Sequence, residues 1–88
     1  MFKSIIKKYV ENLTSNDVID YASKENVTVT QDEANLFVDT VKENVDDILS
    51  GKGMYYIESL KDKVSEEAYS KMLELFDKYK KFIDWYSQ

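Results

Sequence analysis

The chain has 88 residues and a net charge of −5, and 43% of its residues are hydrophobic and 14% aromatic. It contains no histidine, cysteine or proline, which excludes disulfides, cysteine or histidine metal sites, and Ser-His-Asp or Cys-His catalytic centres. This length and composition predict one helical domain, residues 1–88, that is not an enzyme and has no metal, cofactor or small-molecule ligand.

The charge is unevenly distributed along the chain. Residues 1–10 carry +3, residues 11–50 carry −8, and residues 51–88 are neutral. The acidic middle disfavours nucleic-acid binding, which requires cations facing phosphates. Neither a secretory leader nor an apolar run of about 20 residues is apparent. We therefore expect a cytoplasmic protein without a membrane span.

The first half of the chain predicts short amphipathic helices. Apolar residues recur at helical spacing over residues 2–12, with lysines on the opposite side. Thr14 followed by Asp17 predicts the N-cap of a second helix over residues 15–25. Asn26 is a residue type that closes a helix in the left-handed conformation.

A capping box predicts the start of the third helix. Val27 and Val29 lie in a short β-branched stretch, which we expect to form a buried, extended connector. Thr30 and Glu33 then have the spacing at which a hydroxyl and a carboxylate each accept from the other residue's amide. The apolar face of this helix is predicted to comprise Ala34, Phe37, Val38, Val41, Val45 and Ile48.

The two glycines of the chain leave two interpretations open. If the third helix continues through Leu49, Gly51 is the left-handed residue just past its end, and a fourth helix covers residues 54–63. If the third helix ends near Asn44, Ser50 caps the fourth helix and both glycines lie in its first turn. The apolar periodicity favours the first interpretation.

The glycine segment does not match a phosphate-binding loop. A Walker A motif requires glycine five residues before its Gly-Lys pair and a hydroxyl residue directly after the lysine. Around Gly51-Lys52 these positions hold Asp46 and Gly53, and no strand precedes them. The segment therefore predicts a turn between helices.

The last helix is predicted to begin after Ser65 and to run to the chain end. The predicted fold is therefore all-α, a compact bundle of four to five short helices with a long C-terminal helix. Residues 69, 72, 76, 79, 83 and 86 have the 3-4-3-4 spacing of a coiled-coil seam. The aromatic-rich end predicts contact with another protein or with a second copy of the chain. The interface candidates are Tyr79, Phe82, Ile83, Trp85 and Tyr86.

Several stretches resemble the YqfT-like family of small uncharacterised proteins from Gram-positive Firmicutes. They are "NLT" at 12–14, "YASK" at 21–24, "VTVTQDEA" at 27–34 and "ENVDDIL" at 43–49. The resemblance covers about residues 12–76 and differs from the family pattern at Ser23 and Gly53. It implies a bacterial, cytosolic setting, brings no known activity, and places the end of the third helix near Asn44.

Two other functions were considered. The second helix, the connector and the third helix have the order of a helix-turn-helix regulator of nucleic acids, but the third helix is rich in acids. Glu43, Asp46 and Asp47 supply oxygens suited to calcium, but no EF-hand loop surrounds them. A non-catalytic protein-interaction module therefore remains the leading prediction.

Overall fold

Helices make up the whole regular structure of the described chain. The computed structural model describes residues 2–86, and the side chains of residues 7–78, 80 and 81. Within these residues there is no strand, which confirms the predicted all-α fold with a long C-terminal helix. The helices are α1 (Phe2–Glu11), α2 (Ser15–Ser23), α3 (Gln31–Glu43), α4 (Val45–Asp47), α5 (Gly53–Glu58) and α6 (Glu66–Tyr86), and a π-helical segment (Ile48–Lys52) joins α4 to α5.

Capping boxes start α2 and α3. The Thr14 hydroxyl accepts from the Asp17 amide at 3.2 Å, and the Asp17 carboxylate accepts from the Thr14 amide at 3.0 Å. Thr30 and Glu33 repeat this arrangement, with distances of 3.2 and 3.0 Å. Both pairs satisfy amides at a helix start. The sequence predicted the capping box of Thr30 and Glu33 and the N-cap at Thr14, and the bond from the Thr14 amide to the Asp17 carboxylate completes a second box.

A single apolar core joins the helices. α2 packs against α3, α3 also contacts α1 and α5, and α6 packs against α2 and α5. Among the described side chains every buried residue is apolar. The buried hydrophobic residues are Val10, Leu13, Val18, Ala22, Val29, Ala34, Phe37, Val38, Val41, Ile48, Ile57, Leu60, Ala68, Met72, Leu75 and Phe76.

The connector between α2 and α3 has no regular secondary structure and contributes valine side chains to the core, as predicted. Asn26 has a positive φ of 62° and closes the turn after α2. Val29 is buried, and Val27 is partly buried against the same core. The second helix itself ends at Ser23, two residues before the predicted end, and gives way to a turn.

The third helix ends at Glu43, so the interpretation that extended it through Leu49 is wrong. Asn44 leaves the helical conformation, with φ −124° and ψ 25°. Its side-chain amide donates to the Thr40 carbonyl at 2.8 Å, which satisfies a carbonyl near the helix end. Because α4 begins directly after Asn44, Val45 and Ile48 still face the core. The apolar positions therefore repeat as they would in one continuous helix.

The glycines combine features of both interpretations. Gly51 is left-handed, with φ 94°, as expected of a residue that ends a helix. Gly53 is helical and opens α5, as the alternative interpretation expected. Ser50 does not cap α5, because its hydroxyl donates to the Asp46 carbonyl at 2.7 Å. α5 also ends at Glu58 rather than at residue 63, and turns complete the segment.

Glu33 connects the starts of two helices. One carboxylate oxygen accepts from the Thr30 amide within the capping box, and the other accepts from the Ser65 amide at 2.7 Å. The Ser65 hydroxyl in turn accepts from the Ala68 amide at 3.1 Å, so Ser65 caps α6 as predicted. The sequence spacing gave the two caps but not the bond between them.

Lysines hold α6 against α2. Lys71 contacts the Glu25 carboxylate in the turn after α2 and the Glu74 carboxylate at 2.7 Å. The hydrogen bonds to Glu25 and Glu74 raise the pKa of Lys71 above its ordinary value. The ammonium of Lys78 lies 4.6 Å from the centre of the Tyr21 ring, within cation–π distance.

Candidate protein-contact surfaces

The sequence-predicted interface lies at the C-terminal end of α6. The helix backbone continues through Tyr86. The side chains of the five candidates lie outside the described residues, so their mutual contacts remain a prediction. These candidates are Tyr79, Phe82, Ile83, Trp85 and Tyr86.

The described part of α6 changes from buried apolar residues to exposed charged residues before this end. Ala68, Met72, Leu75 and Phe76 are buried in the core. The described side chains that follow Phe76 are the charged residues Asp77, Lys78, Lys80 and Lys81, and all four are exposed. Asp77 and Lys81 form an ion pair at 3.2 Å. The last described core contact of α6 therefore precedes the aromatic-rich segment.

A second apolar surface lies on α5. Tyr55 is 73% exposed and Met54 is 39% exposed, and we call this pair the α5 ridge. Gly53 and Ile57 are buried on the opposite side of the same helix. Aromatic side chains at the surface of a rigid element are typical anchors of protein interfaces.

The scaffold under the α5 ridge is well fixed. The Tyr56 ring packs edge-to-face on the Tyr55 ring, with 5.2 Å between ring centres. The Tyr56 hydroxyl donates to the Asp47 carboxylate. This hydrogen bond, together with desolvation and the negative charge of Asp47, raises the pKa of the Tyr56 phenol. Tyr56 therefore connects α5 to α4 beside the exposed ring.

The sequence contained a signal for the α5 ridge that the prediction did not use. Gly53, Ile57 and Leu60 stand at i, i+4 and i+7 in the sequence, the spacing of one helix face, and the structure buries all three. Positions 54 and 55 must then point away from that face. The prediction began the fourth helix at Met54 and did not place Gly53 in the core, so it missed the exposure of Tyr55.

Gly53 is buried because another residue occupies the space of its missing side chain. A Cβ atom at this position would overlap the Phe76 ring and lie 3.3 Å from a methyl carbon of Ile48. At Gly51, by contrast, a Cβ atom would meet nothing within 4 Å. One glycine therefore allows close packing and the other allows a left-handed turn.

The exposed face of α3 is acidic. Asp32, Asp39 and Glu43 are all exposed, and at about 100° per residue they fall within about 20° of one line along the helix. We call these three residues the acidic stripe. The same face would have to enter the DNA major groove in a helix-turn-helix regulator, and it would repel phosphates there.

The three acids considered for calcium are not brought together. Asp46 forms an ion pair with Lys7 at 2.8 Å, which joins α4 to α1 and raises the pKa of Lys7. Asp47 accepts from Tyr56, and Glu43 belongs to the acidic stripe. Across the described residues, no group of three acids has the arrangement needed to hold a metal ion.

The search for membrane spans gives a negative result. Among the helices described, none combines the length and the apolar character needed to cross a bilayer.

Comparison with known proteins gives a family match. The model of the family described as "Protein of unknown function (DUF2624)" matches residues 1–80. This match includes all the described residues that form the core and the α5 ridge. No curated protein and no solved structure matches the chain.

Proposed function

The chain belongs to the DUF2624 family, whose function is unknown, and we propose that it is a non-catalytic protein–protein interaction module. The observation that carries the proposal is the run of large apolar residues between positions 79 and 86, which follows the last described core residue of α6. The α5 ridge, where Tyr55 is 73% exposed, is a second and separate candidate for a contact. The sequence also lacks histidine, the commonest acid–base residue of enzymes, and cysteine, one of their strongest nucleophiles.

We propose that the main contact lies at the C-terminal end of α6, with another protein or a second copy of the chain. Five large apolar residues fall between residues 79 and 86, beyond the last described core residue, Phe76. Aromatic and aliphatic side chains concentrated in one short helical segment are well suited to an interface. Phe82 and Trp85 are its proposed anchors.

Light scattering tests this proposal. The intact chain is expected to associate as its concentration rises, and the double variant Trp85→Ala/Phe82→Glu is expected to remain monomeric and folded. The matched control is Met54→Ala/Tyr55→Ala, which alters the α5 ridge and should leave this self-association unchanged. Circular dichroism establishes whether each variant retains its helices.

Two results would contradict the C-terminal contact. If the intact chain is monomeric and the Trp85/Phe82 variant unfolds, these aromatics belong to the core of one molecule. If the Met54/Tyr55 variant alone becomes monomeric, the contact lies on α5 instead.

We also infer a bacterial origin and a cytoplasmic location. The resemblance of residues 12–76 to the YqfT-like family of Firmicutes supports both inferences. Fractionation of a Firmicutes cell that expresses the protein, followed by immunoblotting, tests the location. Recovery in the membrane or extracellular fraction would contradict it.

A further inference from the structure

A groove opens at the corner between α1 and α2. Its volume is about 330 Å³, and the described residues that line it are Tyr9, Asn12, Leu13 and Asp17. Leu13 is buried and forms an apolar floor, whereas 61% of Tyr9 is exposed. The volume is at the small end of the range of about 300–1,000 Å³ for ligand pockets, so it suits one side chain better than a large metabolite.

The polar wall of the groove includes the Asp17 carboxylate, which carries a negative charge, and the Asn12 amide, whose carbonyl oxygen is a hydrogen-bond acceptor. The Asp17 carboxylate is held in place because one of its oxygens accepts from the Thr14 amide at 3.0 Å. Its other oxygen accepts no bond from any side chain or amide that the structure describes. The Asn12 side chain is exposed and likewise makes no hydrogen bond to a described residue. These groups remain available to a ligand.

We propose that this groove binds a lysine or arginine side chain from a basic segment of a partner protein. The apolar stem of such a side chain would pack on Leu13 and the Tyr9 ring, and its charged end would reach Asp17 and the Asn12 carbonyl. This inference rests on the proposed interaction function and identifies the chemistry of the partner.

The electrostatic surroundings favour a cation over an anion or a neutral group. The groove lies where the segment 1–10, with a net charge of +3, meets the segment 11–50, with a net charge of −8. Lys7 of the first segment is paired with Asp46, and the excess of negative charge would attract a basic partner. α1 ends here, and the C-terminal end of a helix carries partial negative charge. The opposing positive end of α2 is capped by Thr14 and by Asp17 itself.

Nuclear magnetic resonance with single-residue probes tests the proposal. N-acetyl-lysine-N-methylamide, its arginine analogue, and the neutral norleucine and acidic glutamate analogues are each titrated into the ¹⁵N-labelled full chain. The lysine and arginine probes are expected to shift the amide signals of residues 9–17 saturably. The norleucine probe is expected to bind at least about tenfold more weakly, since it lacks the charge that meets Asp17, and the glutamate probe is expected not to bind.

Three variants assign the effect to the groove. Asp17→Asn removes the charge, keeps a capping oxygen, and is expected to weaken binding of the lysine probe about fivefold to tenfold. Asp20→Asn makes the same charge change at an exposed position of α2 outside the groove and should leave binding unchanged. Thr14→Ala weakens the cap without altering the groove wall and should also leave binding unchanged.

Several outcomes would overturn the proposal. Equal binding of the lysine and norleucine probes would show that the charge is not recognised. If Asp17→Asn and Asp20→Asn weaken binding of the lysine probe equally, the cause is general attraction by negative charge. If Thr14→Ala weakens it as much as Asp17→Asn, the cause is the structure at the start of α2. Absence of binding by both cationic probes would also overturn it. Self-association is measured separately by light scattering, so failure of the groove and failure of the C-terminal contact give different results.

Discussion

Glu33 illustrates how one carboxylate can serve two helices. Partial burial alone would raise the pKa of Glu33, but hydrogen bonds from the Ser65 amide and from Thr30 outweigh it and lower the pKa. The bond to Thr30 follows from the local spacing of the capping box. The bond to Ser65 joins residues 32 positions apart, so only the folded chain reveals it.

We predict that Glu33 contributes to acid sensitivity. Because its pKa is lower in the folded state than the ordinary value of 4.5, its contribution is fully present above that value. The contribution is lost as the pH falls through the folded pKa. Glu33→Gln should therefore destabilise the protein at neutral pH, and the difference from the parent chain should shrink in acid. Urea denaturation across this pH range measures both effects.

Asp32→Asn is the matched control for this experiment. Asp32 is exposed, lies in the same first turn of α3, and makes no hydrogen bond to a described residue. It tests the charge at the helix start without the bond to Ser65. If both variants change the pH profile equally, the effect comes from the helix dipole and not from the junction with α6.

A second residue-scale prediction concerns the cap of α3. Thr30→Ala removes the hydroxyl that accepts from the Glu33 amide and should lower the free energy of unfolding by about 1 kcal/mol. Thr28→Ala is the control, because Thr28 is exposed in the connector before the helix and makes no hydrogen bond to a described residue. Equal denaturation midpoints for the two variants would show that the capping box contributes nothing.

At the scale of the elements, the sequence predicted the helix starts, which depend only on neighbouring residues. Thr14, Thr30 and Ser65 each start a helix as predicted, because a cap depends only on residues within one turn. The end of α3 was mispredicted because Val45 and Ile48 keep the apolar period across the break at Asn44. Periodicity records which residues face the core and does not record whether the backbone between them is continuous.

Side-chain contacts between different helices could not be predicted from the spacing of residues in the sequence. Lys71 contacts Glu25 and Glu74, and Glu25 lies 46 positions away in the sequence. The groove at the corner of α1 and α2 likewise depends on the angle between two helices. The five predicted interface residues at the end of α6 stay a prediction, since their side chains lie outside the described part of the chain.

At the same scale, replacing either glycine by alanine should destabilise the protein, and the physical cause differs between the two positions. Gly51→Ala should cost about 1–2 kcal/mol, because its φ of 94° is unfavourable for a residue with a Cβ atom. Gly53→Ala should cost about 1 kcal/mol net: overlap with the Phe76 ring costs about 1–3 kcal/mol, and better helix propensity offsets about 1 kcal/mol. Urea denaturation followed by circular dichroism measures both changes.

A second substitution separates the two causes. Phe76→Leu removes the ring that lies over Gly53. In that background Gly53→Ala should become neutral or stabilising, whereas Gly51→Ala should cost as much as before. If both alanine substitutions respond equally to Phe76→Leu, Gly53 is required for a reason other than close packing.

At the scale of the whole molecule, the longest helix nearly matches the longest dimension, and α3 carries a line of exposed acids. α6 has 21 residues and is therefore about 31 Å long, close to the 35 Å longest dimension of the molecule. α3 packs against α1, α2 and α5 and turns its acidic stripe outward. The molecule thus combines one continuous helical support with a strongly acidic face.

This charge distribution predicts that the protein does not bind DNA and that repulsion by its acidic surface is the cause. In physiological salt a fluorescently labelled duplex should show no change in anisotropy with the parent chain, since the acidic stripe repels phosphates. Reversing the stripe as Asp32→Lys/Asp39→Lys/Glu43→Lys changes the net charge from −5 to +1, because each reversal adds two charges. This variant should gain salt-sensitive binding, because a line of lysines along α3 can face the backbone of the duplex.

The control reverses Glu58, Asp62 and Glu66 instead, which gives the same net charge away from α3 and should produce weaker binding. Tight, sequence-dependent binding by the parent chain would contradict the electrostatic argument and would restore the helix-turn-helix interpretation.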